Sequence, residues 1–245
     1  MRELCQHFSL KAARGRGKVI VIDDADDLND ESANCFLKTL EEPPAGSVLI
    51  LIGSTDRQKP TIISRCQVVR FRPLPAEAVA EVLLMQGVDD PALRERLARL
   101  GDGSPGQAFA LADPALWEFR QTLLTALTGS RFDAVALSKA WVEFVQDAGK
   151  EAVHQRRRAR LVLRLLIDFL RAALGFGLNG PSAAMEQDRP LLEGLTRRVN
   201  ADQITSVLER CLDADFQIER NVGTALVLEA LLDAFAQKFV GLEAS

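Results

Sequence analysis

Four apolar residues running without alternation into two acidic ones, Val19-Ile20-Val21-Ile22 and then Asp23-Asp24, constrain this sequence more than any other feature. An unbroken apolar run predicts a strand covered on both faces, as in a parallel sheet held between helices. Ligands of open α/β sheets collect outside the carboxyl ends of the strands, which is where both carboxylates stand. An apolar strand ending in Asp is the Walker B arrangement, in which a carboxylate holds Mg²⁺ beside nucleotide phosphates. The plainer reading is a strand whose polar end meets solvent.

The next segments extend the pattern. Asn29 or Asp30 can cap a helix whose inner face is Ala33, Phe36, Leu37 and Leu40, and Pro43-Pro44 stops it. A second apolar strand, Val48 to Ile52, ends in Gly53, Ser54 and Thr55. A hydroxyl there can orient a water or contact a γ-phosphate, or it can bond its own backbone as a turn residue. Ser64-Arg65-Cys66 follows a short helix and precedes a third apolar run, Val68 to Phe71, expected as another strand. The stretch from Lys18 to Arg72 thus reads as strand, acidic turn, helix, strand, loop, short helix and strand. Arg65 offers a fixed charge on a planar fork, suited to phosphate; its bland alternative is an ordinary surface ion pair.

Beyond Arg72 the chain turns helical. Pro73 and Pro75 punctuate the exit, and Ala76 to Gln86 presents Val79, Val82 and Leu83 on one face. Asp90-Pro91 starts a helix ending at Gly101, Ser104-Pro105 another through Leu111, and Asp113-Pro114 a third to about Thr128. Helices are then expected over Phe132–Ala148, Lys150–Gly175, Arg189–Val199, Ala201–Ile218 and Val222–Val240, with a loop after Gly175. In the last helix Val222, Leu226, Leu228, Leu231, Leu232, Phe235 and Phe239 form more than one stripe, which predicts burial on two sides, against its own bundle and against a partner. The arginines at 156, 157, 158, 160, 164 and 171 suit a DNA-facing surface or, interleaved with Leu161, Leu165 and Leu166, a solvated or interfacial charged face, the reading preferred here. Trp117 and Trp141 read as packing residues.

Composition narrows the class. With 245 residues, 47% of them apolar, the chain can bury two or three small cores, and a net charge of -4 advertises no general affinity for nucleic acid. Cys5, Cys35, Cys66 and Cys211 are scattered without metal-ligand spacing, so neither a zinc site nor a disulfide framework is indicated and a reduced, cytoplasmic setting fits. Histidine occurs only at positions 7 and 154, which argues against a histidine-based catalytic centre. No apolar run reaches membrane-spanning length.

LKTLEEPP (Leu37 to Pro44) followed by TIISRC (Thr61 to Cys66) resembles the clamp-loader branch of the AAA+ ATPases. The resemblance implies an α/β then all-α chain: a partial AAA+ parallel-sheet core at 1–72, a three-helix lid at 73–112 and a helical collar for oligomerisation at 113–245. It implies that Arg65 is an arginine finger directed at ATP on a neighbouring subunit. Asp23, Asp24, Ser54 and Thr55 are then remnants of a nucleotide site. No GxxxxGK[ST] phosphate loop precedes the first strand, and a segment resembling IRELCQHF normally follows that loop in the family; the chain is therefore expected to start inside its first domain, by truncation or because the earlier half is a separate chain.

Two departures bear on activity. Gln107 stands in the GSPGQAFAL segment where ATP-hydrolysing relatives often carry arginine, and Asp24 stands where they carry Glu. Both favour a non-hydrolysing, delta-prime-like member over a gamma/tau-like motor cut off after its phosphate loop. The implied partners are the motor and delta subunits and, through the complex, the sliding clamp and primer-template DNA of the DNA polymerase III holoenzyme, with no membrane. ATP and Mg²⁺ belong to the assembled complex; no cofactor and no metal are expected in this chain itself.

Overall fold

The computed structural model describes residues 18–23, 25, 28, 30–53, 58–129, 132–177 and 186–239. The IRELCQHF-like segment before Lys18, the residues Asp24, Asn29, Ser54 and Thr55, and most of the loop after Gly175 lie outside them. The chain divides into two compact units, Met1–Phe71 and Arg72–Ser245.

In the first unit, β1 (Val19–Ile22) and β2 (Val48–Leu51) pair in parallel, with Val19 opposite Val48 and Ile22 opposite Leu51. Bonds from Val48 N to Lys18 O (2.7 Å) and from Ile52 N to Ile22 O (2.8 Å) carry the ladder one step beyond each end. A parallel pair needs a crossover, and α1 (Asp30–Glu41) provides it. Its first turn is acidic, with Asp30 and Glu31, and Lys38 lies in its last, both matched to the helix dipole. Ala33 and Phe36 are its buried residues, and Pro43 prevents a further turn. The short helix α2 (Pro60–Ile63) starts with proline at a favoured first position and buries Ile62.

Two expectations are corrected here. The strands are not covered on both faces: exposure alternates along each, and Val19, Val21, Val48 and Ile50 are 67, 56, 52 and 43% exposed. The pleat sends alternate side chains to opposite faces, so an apolar run states what each face tolerates and not what covers it. Nor is Val68–Phe71 a strand. Those residues have no regular structure and make no backbone hydrogen bond to a neighbouring strand among the described residues, and Phe71 is 93% exposed. Apolar content creates a strand only beside an edge that accepts its hydrogen bonds.

The second unit is helical throughout its described residues: α3 (Ala76–Met85), α4 (Pro91–Leu100), α5 (Pro105–Ala110), α6 (Pro114–Thr128), α7 (Ala134–Gln146), α8 (Ala152–Gly177), a 3₁₀ turn at Glu186–Asp188, α9 (Arg189–Arg198), α10 (Ala201–Glu219) and α11 (Thr224–Phe239). Their starts follow local chemistry. The side chains of Asp90, Ser104, Asp113 and Asp133 each accept from a backbone N–H of their own first turn, and Asn200 with Gln203 closes a reciprocal capping box. The central helix α8 packs on α4, α6, α7, α9, α10 and α11 and buries Ala159, Val162, Leu163, Leu166, Phe169 and Leu170. One apolar core runs continuously from Val79 to Phe235, so residues on both sides of Asp113 share it.

Three of the six arginines singled out in α8 are committed within the unit. Arg160 pairs through two bonds of 2.8 and 2.9 Å with Asp215, Arg158 approaches Asp113 at 3.7 Å, and Arg164 donates to the carbonyl of Leu100 at 2.8 Å. Trp141 is fully buried, and Trp117 donates to the carbonyl of Leu111 at 2.8 Å. In α11 Val227, Leu228, Leu231, Leu232 and Phe235 face the core while Leu226 is 66% exposed. Among the described residues, burial is thus on one side of that helix.

Candidate functional site

Arg65 sits on the turn that leaves α2. The chain turns there because Ser64 N bonds Pro60 O (3.0 Å), Arg65 N bonds Ile62 O (3.0 Å) and Cys66 N bonds Ile63 O (3.2 Å), with Ile62 buried beneath. The guanidinium is held on two sides. Nε and Nη2 both reach the same oxygen of Glu41, Oε1, at 2.7 Å, and Nη1 donates to Thr61 O (3.0 Å) and Ser64 Oγ (3.2 Å). About a third of the side chain, 33%, stays exposed, against 51% for Glu41.

The two ends of α1 are thereby tied to the α2 turn. Asp30, in its first turn, is paired with Lys59, which precedes α2; Glu41, its last residue, is paired with Arg65, which follows α2. The Lys59 ammonium, by hydrogen bond first and by charge second, holds the Asp30 carboxyl below its ordinary value. Cys66, partly buried beside Arg65, has its thiol pushed up by burial.

Asp23 stands exposed at the carboxyl end of β1, and the bond from Ala25 N to Ile52 O (2.9 Å) brings the following turn against the end of β2. Its expected companions Asp24, Ser54 and Thr55 lie outside the described residues. Mg²⁺ is commonly held by one or two carboxylates together with phosphate oxygens. Asp23 fits one such ligand, while no cluster of three or more metal-binding side chains occurs among the described residues. Arg65 is not drawn to Asp23: its hydrogen bonds go to Glu41, Thr61 and Ser64.

Glu41 is the site residue that sequence reasoning missed. It lies in the LEEPP segment but 24 positions from Arg65, beyond any local spacing rule.

Residues 1–75 match the family described as DNA polymerase III, delta subunit. The chain resembles the clamp-loader family. It is 39% identical over 133 residues to the delta' subunit of DNA polymerase III from Escherichia coli, covering 53% of this chain and 39% of that protein. It is 37% identical over 163 residues to the tau subunit from Salmonella typhimurium, covering 62% of this chain and 25% of tau. The longest of these similarities is to the delta' subunit of Bacillus subtilis, 25% identical over 251 residues and covering 95% of this chain and 70% of the relative. The chain therefore spans between a quarter and two fifths of the first two clamp-loader relatives, and the similarity extends to delta' and tau alike. No helix among the described residues is long and apolar enough to cross a membrane.

Proposed function

We propose that this chain is a delta-prime-like clamp-loader subunit: a non-motor AAA+ member that supplies Arg65 in trans to the nucleotide site of a neighbouring motor subunit and so assists ATP-dependent loading of a sliding clamp on primed DNA. The observation that carries this reading is the placement of Arg65, part-exposed on the turn after α2 and bonded away from the Asp23 strand end of its own unit. A guanidinium facing a nucleotide across an interface needs that outward placement.

Bound there, ATP with Mg²⁺ would supply the transferable phosphoryl group. Arg65 offers it a permanent charge and planar N–H donors, matched to charge spread over the phosphoryl oxygens, and fingers of this kind contribute about 10³ to 10⁵ in rate. Asp23 would be one carboxylate of this chain's own nucleotide-site remnant. The partners under this reading are the motor and delta subunits and, through them, the clamp and primer-template DNA, in the cytoplasm.

The second reading, an ATP-hydrolysing gamma/tau-like motor, is favoured by the identity to tau over 163 residues. One experiment addresses both. Full-length protein carrying Arg65→Ala is assembled with its partner subunits and clamp-stimulated ATPase is measured. Intact assembly with a loss of at least a hundredfold supports the finger; unchanged ATPase removes it. Titration of ATP into this chain alone is expected to show weak binding, and turnover by the full-length chain without partners would favour the motor reading.

A further inference from the structure

Arg65 does not hang free on its turn, and what holds it bears on how it would work. One carboxylate oxygen, Glu41 Oε1, accepts from Nε at 2.7 Å and lies 2.7 Å from Nη2 as an ion pair, while Thr61 O and Ser64 Oγ receive Nη1 from the opposite side. A guanidinium carries five N–H donors in one rigid plane. With Nε on Glu41 and Nη1 on Thr61 and Ser64, Nη2 keeps an N–H that no described residue accepts, on a side chain that remains 33% exposed.

We propose that Glu41 is a positioning residue for Arg65. It grips the Nε side of the guanidinium from the end of α1, fixes the plane of the fork, and leaves an N–H of Nη2 to be offered to an anionic phosphoryl group. The proposal rests on the reading of Arg65 as a finger in trans.

The physical case is one of pre-organisation. An arginine side chain free to sample its rotamers must be ordered each time it meets a transition state, and a displacement of about 1 Å can cost on the order of a hundredfold in rate. Here the ordering is done beforehand by two elements of the same unit. The pair is part-exposed, where an ion pair adds little to folding stability, so its value lies in orientation. The opposite role is also physically coherent: a carboxylate against the guanidinium offsets charge that a phosphate would otherwise feel, and would then act as a latch. Because the grip uses a single oxygen, the two roles separate experimentally. Glutamine keeps an Oε1 acceptor without the charge; alanine removes the acceptor.

The test uses full-length protein assembled with its partner subunits, with clamp-stimulated ATPase read as kcat and KM separately and melting temperature as a control. Glu41→Ala is expected to lower kcat on the order of tenfold to a hundredfold with little change in KM or melting temperature. Glu41→Gln is expected to keep most of the rate, and Glu42→Ala all of it. The double variant Glu41→Ala, Arg65→Ala is expected to be no slower than Arg65→Ala alone, because a positioning residue has nothing left to position. Wild-type kcat in Glu41→Ala beside an impaired Arg65→Ala overturns the positioning role and leaves the finger standing. Faster turnover in Glu41→Ala or in Glu41→Gln makes Glu41 a latch and overturns it as well. A further loss in the double variant means that Glu41 acts elsewhere, again against the proposal. Full activity in Arg65→Ala removes the finger itself, and the proposal with it.

Discussion

The guanidinium of Arg120 in α6 meets the carboxylate of Asp188, at the end of the 3₁₀ turn before α9, through paired bonds in which Nη1 donates to Oδ1 at 2.9 Å and Nη2 to Oδ2, with side-chain exposures of only 3 and 4%. Aromatic faces close the surroundings: Trp117 and Phe169 lie 5.7 and 5.8 Å from the Arg120 guanidinium carbon. A buried charge with its partner removed costs about 3–5 kcal/mol, whereas replacing both partners by apolar residues can be neutral. Asp188→Ala is therefore expected to destabilise this chain by about 3–5 kcal/mol in urea denaturation, and Arg120→Met with Asp188→Leu to recover most of the loss.

Gly103 adopts φ +75°, and a Cβ placed on it would lie 2.3 Å from Pro73 Cβ and 2.9 Å from the backbone of Leu74, whose N–H bonds Gly103 O at 3.0 Å. Backbone cannot give way as a flexible side chain does. Gly103→Ala is expected to cost about 2 kcal/mol or more, from left-handed strain and overpacking together, visible as a lowered melting temperature.

The pH behaviour of Asp30 follows from Lys59. Its folded pKa is depressed, so the pair contributes above the ordinary carboxylate value, and the contribution is lost as pH falls through the lowered value. NMR titration is expected to place the Asp30 midpoint below that of an unpaired aspartate. Lys59→Ala should return it to the ordinary value.

Cysteine reactivity separates the two units. Cys211 in α10 is fully buried and burial pushes its thiol pKa far up, so almost no thiolate forms at neutral pH. Its modification by a thiol reagent is expected to track global unfolding of the second unit across a denaturant series. Cys66, partly buried and raised in the same direction, should react slowly but without unfolding.

Arg65→Lys tests the chemistry of the finger apart from its charge. An ammonium, with three N–H groups, cannot bond Glu41, Thr61 and Ser64 in the observed plane and still present a further N–H. The lysine variant is expected to fall within about tenfold of Arg65→Ala in clamp-stimulated ATPase and not to approach the wild-type rate.

Much of the backbone was legible in the sequence because its signals are local. Asp90-Pro91, Ser104-Pro105 and Asp113-Pro114 mark helix starts through bonds to N–H groups two or three residues on, and each cap is present with that geometry. The β1 tetrad and β2 likewise form strands where apolar content and flanking turn residues placed them. Val68–Phe71 had the same content and failed, since a strand also needs a neighbour. Within the candidate site, Arg65 and Asp23 were singled out from motifs, whereas Glu41 was passed over as part of a helix end.

The sequence by itself determined which segments are helices, where they stop, and that one arginine follows a short turn after the second strand. Only the tertiary structure decided that Arg65 rests on Glu41, that Arg120 buries itself against Asp188 68 positions away, and that one face of the two strands stands open. The reason is range. Caps, prolines and apolar periods act within one or two turns of backbone, while a guanidinium takes whichever carboxylate the closed chain brings within 3 Å, and no residue pattern carries that distance before the chain has folded.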